Sequence, residues 1–129
     1  MTTRAVTRLY DDALRPVGLR TTQFSILARL DDEGPSPLTR LARRLLVDRT
    51  TLGRELDGLV SRGLVEIVAG PADRRMRIAS LTDAGRGRLG ECYPLWRAVQ
   101  RDVRERFGRD RVDALLGELG ELVRATPSG

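Results

Sequence analysis

Histidine is absent from all 129 residues and cysteine occurs once, at Cys92. The first absence removes the commonest general base together with the commonest metal ligand. A lone cysteine forms neither an internal disulfide nor a thiolate zinc site. Hydrolytic triads and histidine-bearing zinc centres are therefore excluded, and no cofactor is expected. Apolar runs are only a few residues long, so no segment reads as a bilayer span. The opening Met1-Thr2-Thr3-Arg4 lacks the apolar stretch of a secretory signal, and a cytoplasmic location with no membrane partner is the expectation. Apolar residues make up 40% of the chain and charged residues 32%, the balance of a folded, helix-rich domain. A chain of this length buries roughly two-thirds of its unfolded surface, enough for a core without metal or disulfide staples.

Lysine is missing too: all 23 basic residues are arginine. The planar guanidinium fork suits phosphate oxygens and guanine edges better than an ammonium does, although codon bias alone also produces such a set. The distribution is more informative than the type. Residues 1–35 are net neutral, residues 36–82 carry +4 and residues 83–129 carry +1. An excess confined to the middle third is the electrostatic footprint of a nucleic-acid surface.

Periodicity sets out the elements. Val6, Leu9, Tyr10, Ala13 and Leu14 recur at helical spacing until Pro16 and Gly18 end the stripe. Thr21 or Thr22 is placed to cap a second helix bearing Phe24, Leu27 and Leu30, with Leu19 as a staple residue. Asp31 to Pro35 reads as a loop. Ser36-Pro37 or Thr39 starts a short helix with Leu38, Leu41, Ala42 and Leu45 inward. Asp48 caps a longer one whose buried stripe is Leu52, Leu56, Leu59 and Val60, closed by Gly63. Two β-runs, Leu64 to Val68 and Met76 to Leu81, flank the polar turn Ala69-Gly70-Pro71-Ala72-Asp73-Arg74-Arg75, which predicts a hairpin. Thr82 then caps a long helix carrying Leu89, Cys92, Tyr93, Trp96, Val99, Val103 and Phe107, with Pro94 expected to bend it and Gly85, Gly87 and Gly90 weakening its start. After Gly108 a last helix places Val112, Leu115, Leu116, Leu119, Leu122 and Val123 on one face.

A short helix, a tight turn, a second helix and a hairpin describe a winged helix-turn-helix. The fold class is mainly α with a small β-hairpin wing. In this architecture the second helix enters the major groove with its N-terminal residues against base edges. Arg49, Thr50 and Arg54 project away from the buried stripe, with Thr51 at the margin and Gly53 offering no side chain. Arg74, Arg75 and Arg77 crowd the hairpin, where a narrow minor groove would relieve their repulsion and Asp73 could orient a guanidinium. Taken singly, each cluster also fits a solvated charged face.

The segments Leu41-Ala42-Arg43-Arg44-Leu45, Asp48-Arg49-Thr50-Thr51-Leu52, Gly63-Leu64-Val65, Asp73-Arg74-Arg75 and Leu81-Thr82-Asp83-Ala84-Gly85 together resemble the MarR family of bacterial transcriptional regulators. The Asp-x-Arg wing followed by Leu-Thr-x-x-Gly is the most specific part. The resemblance implies a homodimer on double-stranded DNA at an inverted-repeat operator. Residues 21–82 would form the DNA-binding region, and residues 1–20 with 83–129 the helical dimerisation region. It assigns Arg49, Thr50, Thr51 and Arg54 to the major groove, Arg75 to the minor groove and Asp73 as its partner. It also implies further residues ahead of the point where this chain begins. Leu46 stands where many such turns have glycine, and Gly53 where relatives often carry threonine or serine, so no operator sequence carries over.

Family members often respond to small aromatic or phenolic effectors held between the dimer helices and the DNA-binding lobe. Tyr10, Phe24, Tyr93, Trp96 and Arg97 are candidate lining residues, although aromatics at helical spacing are more often plain core. Cys92, on the apolar stripe, reads as a buried inert thiol. The expected function is a dimeric, sequence-specific regulator, a repressor in the first instance, with effector-modulated operator affinity. The alternative is a winged-helix protein-interaction module, which needs no arginine excess on both recognition helix and wing. An enzyme is disfavoured, since the acidic pairs Asp11-Asp12 and Asp31-Asp32 lie on polar faces or in a loop with no nucleophile and base beside them.

Overall fold

The order of elements in the computed structural model, which describes residues 3–108, follows the winged-helix expectation with one added strand. Helix α1 spans Thr3–Leu14 and passes through a single 3-10 turn at Arg15–Val17 into α2, Thr21–Glu33. Strand β1 is Ser36–Pro37, followed by α3 (Leu38–Leu45) and α4 (Arg49–Ser61). Strands β2 (Val65–Ala69) and β3 (Arg77–Leu81) form the hairpin, and α5 runs from Asp83 to Phe107. The helix expected over Val112 to Val123 lies outside the described residues, as do the side chains of Val6 and Phe107. Among the described residues no helix is long and apolar enough to cross a membrane.

The sheet is antiparallel in the order β1-β3-β2, with Ser36 opposite Ala79 and Val65 opposite Leu81. Ser36-Pro37 is thus an edge strand rather than the start of α3, which begins at Leu38. Two residues carry too little periodicity to announce a strand, and proline is tolerated there because an edge residue need not donate to a ladder. The core runs beneath these elements through Leu14, Phe24, Ile26, Leu27, Leu41, Leu45, Leu52, Leu56, Leu59, Ala79 and Leu89. Val60 departs from the expected stripe: it is exposed, turned to the flank of α4. The second helix is capped not by Thr21 or Thr22 but at Arg20, whose backbone N–H donates to Gln23 Oε1 at 3.1 Å. Pro94 sits inside a single continuous α5.

Three connections end in the same way. After α1, Leu19 N–H donates to the Leu14 carbonyl and Gly18 N–H to that of Arg15. After α4, Leu64 and Gly63 repeat the pattern on Leu59 and Val60, and after α3, Val47 and Leu46 repeat it on Ala42 and Arg43. This paired closure requires a left-handed residue at its corner. Glycine occupies the corner twice, at φ 72° for Gly18 and 75° for Gly63; the third is Leu46 at φ 57°. A non-glycine residue there bears about 1–2 kcal/mol of strain. Leu46 is also 72% exposed, so little burial offsets it. Leu46→Gly is therefore expected to stabilise the protein by about 0.5–1 kcal/mol after the entropy of an added glycine is deducted. A thermal melt checks this, and a lower midpoint would count against the strain.

Candidate nucleic-acid interface

Helix α4 displays its first turn through a side-chain cap. Asp48 Oδ1 accepts Thr51 N–H at 2.7 Å, and its other oxygen accepts the Thr51 hydroxyl at 3.1 Å. These two bonds, the backbone one first, hold the Asp48 carboxyl below the usual carboxylate range. Leu52, Leu56 and Leu59 face the core, so Arg49, Thr50 and Arg54 lie exposed on the outer side. Thr51 is half-buried, with its hydroxyl committed to the cap. Nothing lies within 4 Å of where a Cβ on Gly53 would point, leaving open space between Thr50 and Arg54.

The wing is ordered by one aspartate. Asp73 lends its carbonyl to Met76 N–H at 3.0 Å, closing a turn, and its carboxylate accepts Arg75 N–H at 3.0 Å. Aspartate favours such turns because its short side chain bonds the backbone two residues on. The same carboxylate lies 3.7 Å from Arg75 Nε, whose side chain is 95% exposed. The Asp-x-Arg spacing thus both folds the tip and directs its guanidinium. Gly70 completes the turn by donating to the Met76 carbonyl at 2.7 Å; a Cβ there would sit 2.9 Å from the Asp73 carbonyl oxygen. Arg74 and Arg77 are exposed beside Arg75.

The structure adds a third basic element to the two expected to contact DNA. Arg40, Arg43 and Arg44 on α3 line a surface cavity of about 320 Å³. Their i, i+3, i+4 spacing opposite Leu41, Ala42 and Leu45 is the signal that could have found them. Glu33, at the end of α2, accepts from Arg40 at 3.2 Å and from Arg29 at 3.4 Å, and lies 3.8 Å from Arg44. Arg29, only 3% exposed, also donates to the Arg44 carbonyl. This charge cluster fastens α3 to α2 from beneath, leaving the outer arginines towards solvent.

Of the effector candidates, four form one aromatic cluster. Phe24 meets Tyr93 edge-on at 5.5 Å between ring centroids and Trp96 at 5.9 Å, while Tyr10 lies 6.1 Å from Trp96. Arg97 is exposed on α5. Burial pushes the Tyr10 hydroxyl up to about 12 against the opposing charge of Arg104, and this hydroxyl has no hydrogen-bond partner among the described residues. Cys92 is fully buried and its thiol is raised to about 11, chiefly by burial, which keeps it from forming a reactive thiolate.

A MarR-family sequence model matches residues 19–76. Over 81 residues the chain is 35% identical to the transcriptional repressor NicR of Pseudomonas putida, a stretch covering 63% of this chain and 51% of that protein. The chain thus spans about half the length of that curated relative. Among solved structures, it is similar to a mutant MarR from Escherichia coli complexed with operator DNA, at 27% identity and TM-score 0.78, covering 93% of this chain and 86% of that one. The Mycobacterium tuberculosis transcriptional regulator MosR in complex with DNA matches at 42% identity and TM-score 0.76, covering 92% of this chain and 86% of that one. With the capped helix, the wing and the order of elements all in agreement, residues 19–76 are a MarR-family domain.

Proposed function

We propose that the protein is a dimeric, sequence-specific DNA-binding transcriptional regulator, acting as a repressor. The observation that carries this reading is that exposed arginines occur on α4 and on the wing, each held by a local aspartate: Asp48 for the helix start and Asp73 for the tip. Arg49, Thr50 and Arg54 read the major groove, with Thr51 bracing the helix end and offering its methyl. Arg75, with Arg74 and Arg77 beside it and Asp73 as its orienting partner, enters the minor groove. Arg40, Arg43 and Arg44 grip phosphates, since the first helix of such a motif crosses the backbone. Residues 1–20 and 83–129 supply the dimer contacts and residues 21–82 the DNA-binding region. Two protomers then reach successive major grooves of an inverted repeat, about 34 Å apart.

An aromatic or phenolic effector is part of the same proposal. The buried hydroxyl of Tyr10, whose ring packs against Trp96 of the aromatic cluster, has no hydrogen-bond partner among the described residues, a group that a polar ring substituent would satisfy. Arg97, exposed on α5, is assigned to an acidic group on the same ligand in this reading. Ligand binding that favours one spacing of the two recognition helices would lower operator affinity by population shift.

The test is selection of bound sequences from a random DNA pool, with solution mass measured on the same sample. Recovery of an inverted repeat by a two-chain species is expected; no enrichment by a well-folded sample would overturn the proposal. On the selected site, Arg75→Ala is expected to weaken binding and to reduce the salt slope by about one per protomer. An unchanged slope would remove the wing from the interface.

A further inference from the structure

We infer that Arg20 and Arg62 are positioning residues for base readout: they pin the recognition helix to the link between α1 and α2. This inference rests on the DNA-binding reading above. Glu55 lies on the buried side of α4, its side chain only 10% exposed, and accepts two hydrogen bonds from Arg20 Nη2 at 2.6 and 2.8 Å. Two turns further on, Arg62 Nη1 donates to the Gly18 carbonyl at 2.6 Å. The two ties are seven residues apart, so they lie along one edge of the helix. Their partners, Gly18 and Arg20, are near neighbours in the link.

The link is held from two other sides as well. Arg88 of α5 donates from Nη1 to the Val17 carbonyl at 2.9 Å, and Asp11 of α1 accepts Thr21 N–H at 2.7 Å. Residues Val17 to Thr21 are thus bonded to α1, α4 and α5 together. The apolar underside of α4, Leu52, Leu56 and Leu59, turns one face inward but, being non-directional, fixes roll and axial position only coarsely. Charge-assisted bonds two turns apart set both. Reading base edges demands placement to within about 0.5 Å and 10–20°. Any shift of α1 or α5 that moves the link moves both anchor points of the recognition helix with it.

The test compares wild type with Arg20→Gln, Glu55→Gln, the double variant and, separately, Arg62→Ala. Each is titrated across salt against the selected inverted repeat and against a scrambled duplex of equal length. The double variant has the net charge of the wild type, so its behaviour reports geometry rather than charge. Preference for the selected duplex is expected to fall about tenfold in each single variant and no further in the double, with scrambled-duplex affinity and the double variant's salt slope unchanged. Arg62→Ala, at an exposed site, should show the same signature at about threefold even if a Glu55 variant folds poorly. Unchanged preference in Arg62→Ala and in the folded members of the set overturns the inference. So does a slope lowered by about one in Arg20→Gln with preference retained, which would make Arg20 a direct phosphate contact. A wild type that prefers neither duplex defeats the DNA-binding reading itself.

Discussion

Gly85→Ala is expected to destabilise the protein by about 3 kcal/mol, the upper range for forcing atoms into a packed site. The cause is steric rather than conformational. A Cβ on Gly85 would run into the Leu64 carbonyl oxygen and come within 2.7 Å of Leu81 Cδ1. Backbone cannot swing aside as a flexible side chain can, because it is fixed on several sides. Thr82 N–H donates to the same Leu64 carbonyl at 3.2 Å, the Thr82 hydroxyl donates to the Gly63 carbonyl at 2.7 Å, and Gly85 N–H donates to that hydroxyl at 2.9 Å. The Leu-Thr-x-x-Gly run is therefore a junction locking the start of α5 onto the corner that ends α4. A thermal melt should show the midpoint lowered by roughly 10 °C or more. Gly87 and Gly90 provide the control, since nothing lies within 4 Å of a Cβ at either. Alanine there should stabilise by about 0.5–1 kcal/mol, as in any open helical position. Destabilisation of all three alike would refute the junction.

Arg54→Ala should weaken binding to the selected operator by about 10- to 100-fold per half-site, the range for losing one bidentate base contact of 1–3 kcal/mol. Arg54 is exposed one turn beyond the cap, on the side of α4 opposite Leu52 and Leu56. The side chain can be removed without disturbing the core, so the loss should appear as relaxed sequence preference at one base pair of each half-site. Affinity for unrelated duplex should fall much less. Repeating the random-pool selection with the variant separates the two: the repeat should return with one position degenerate. An equal loss on every sequence would make Arg54 a phosphate contact and leave base readout to Arg49 and Thr50.

What could be read from the chain alone was whatever local chemistry fixes. The Asp48 cap, the Gly63 corner, the Asp73 turn and the Thr82 cap all act over a few residues, and each stood where its residue type predicted. Long-range bonds left no such trace. Arg20 and Glu55 are 35 positions apart, and neither has a pattern that announces the other. The start of α2 differs from expectation for a related reason: Gln23 supplies the capping oxygen from inside the helix, so neither threonine hydroxyl is needed as a cap. Val60 fitted the helical period yet lies on the flank, because the period gives angular position but not where the neighbouring elements end. The basic face of α3 is legible at i, i+3 and i+4, but that spacing is also the ordinary solvated face of an amphipathic helix and by itself assigns no role.

Pro37 has a consequence for how copies of this chain meet. It stands on β1, one of the two outer strands of the sheet, paired inwards with Ile78. Its nitrogen carries no hydrogen, and the strand is only two residues long, so this margin offers almost nothing for a foreign strand to bond. Fibril-like growth through that side of the sheet is blocked at its first step.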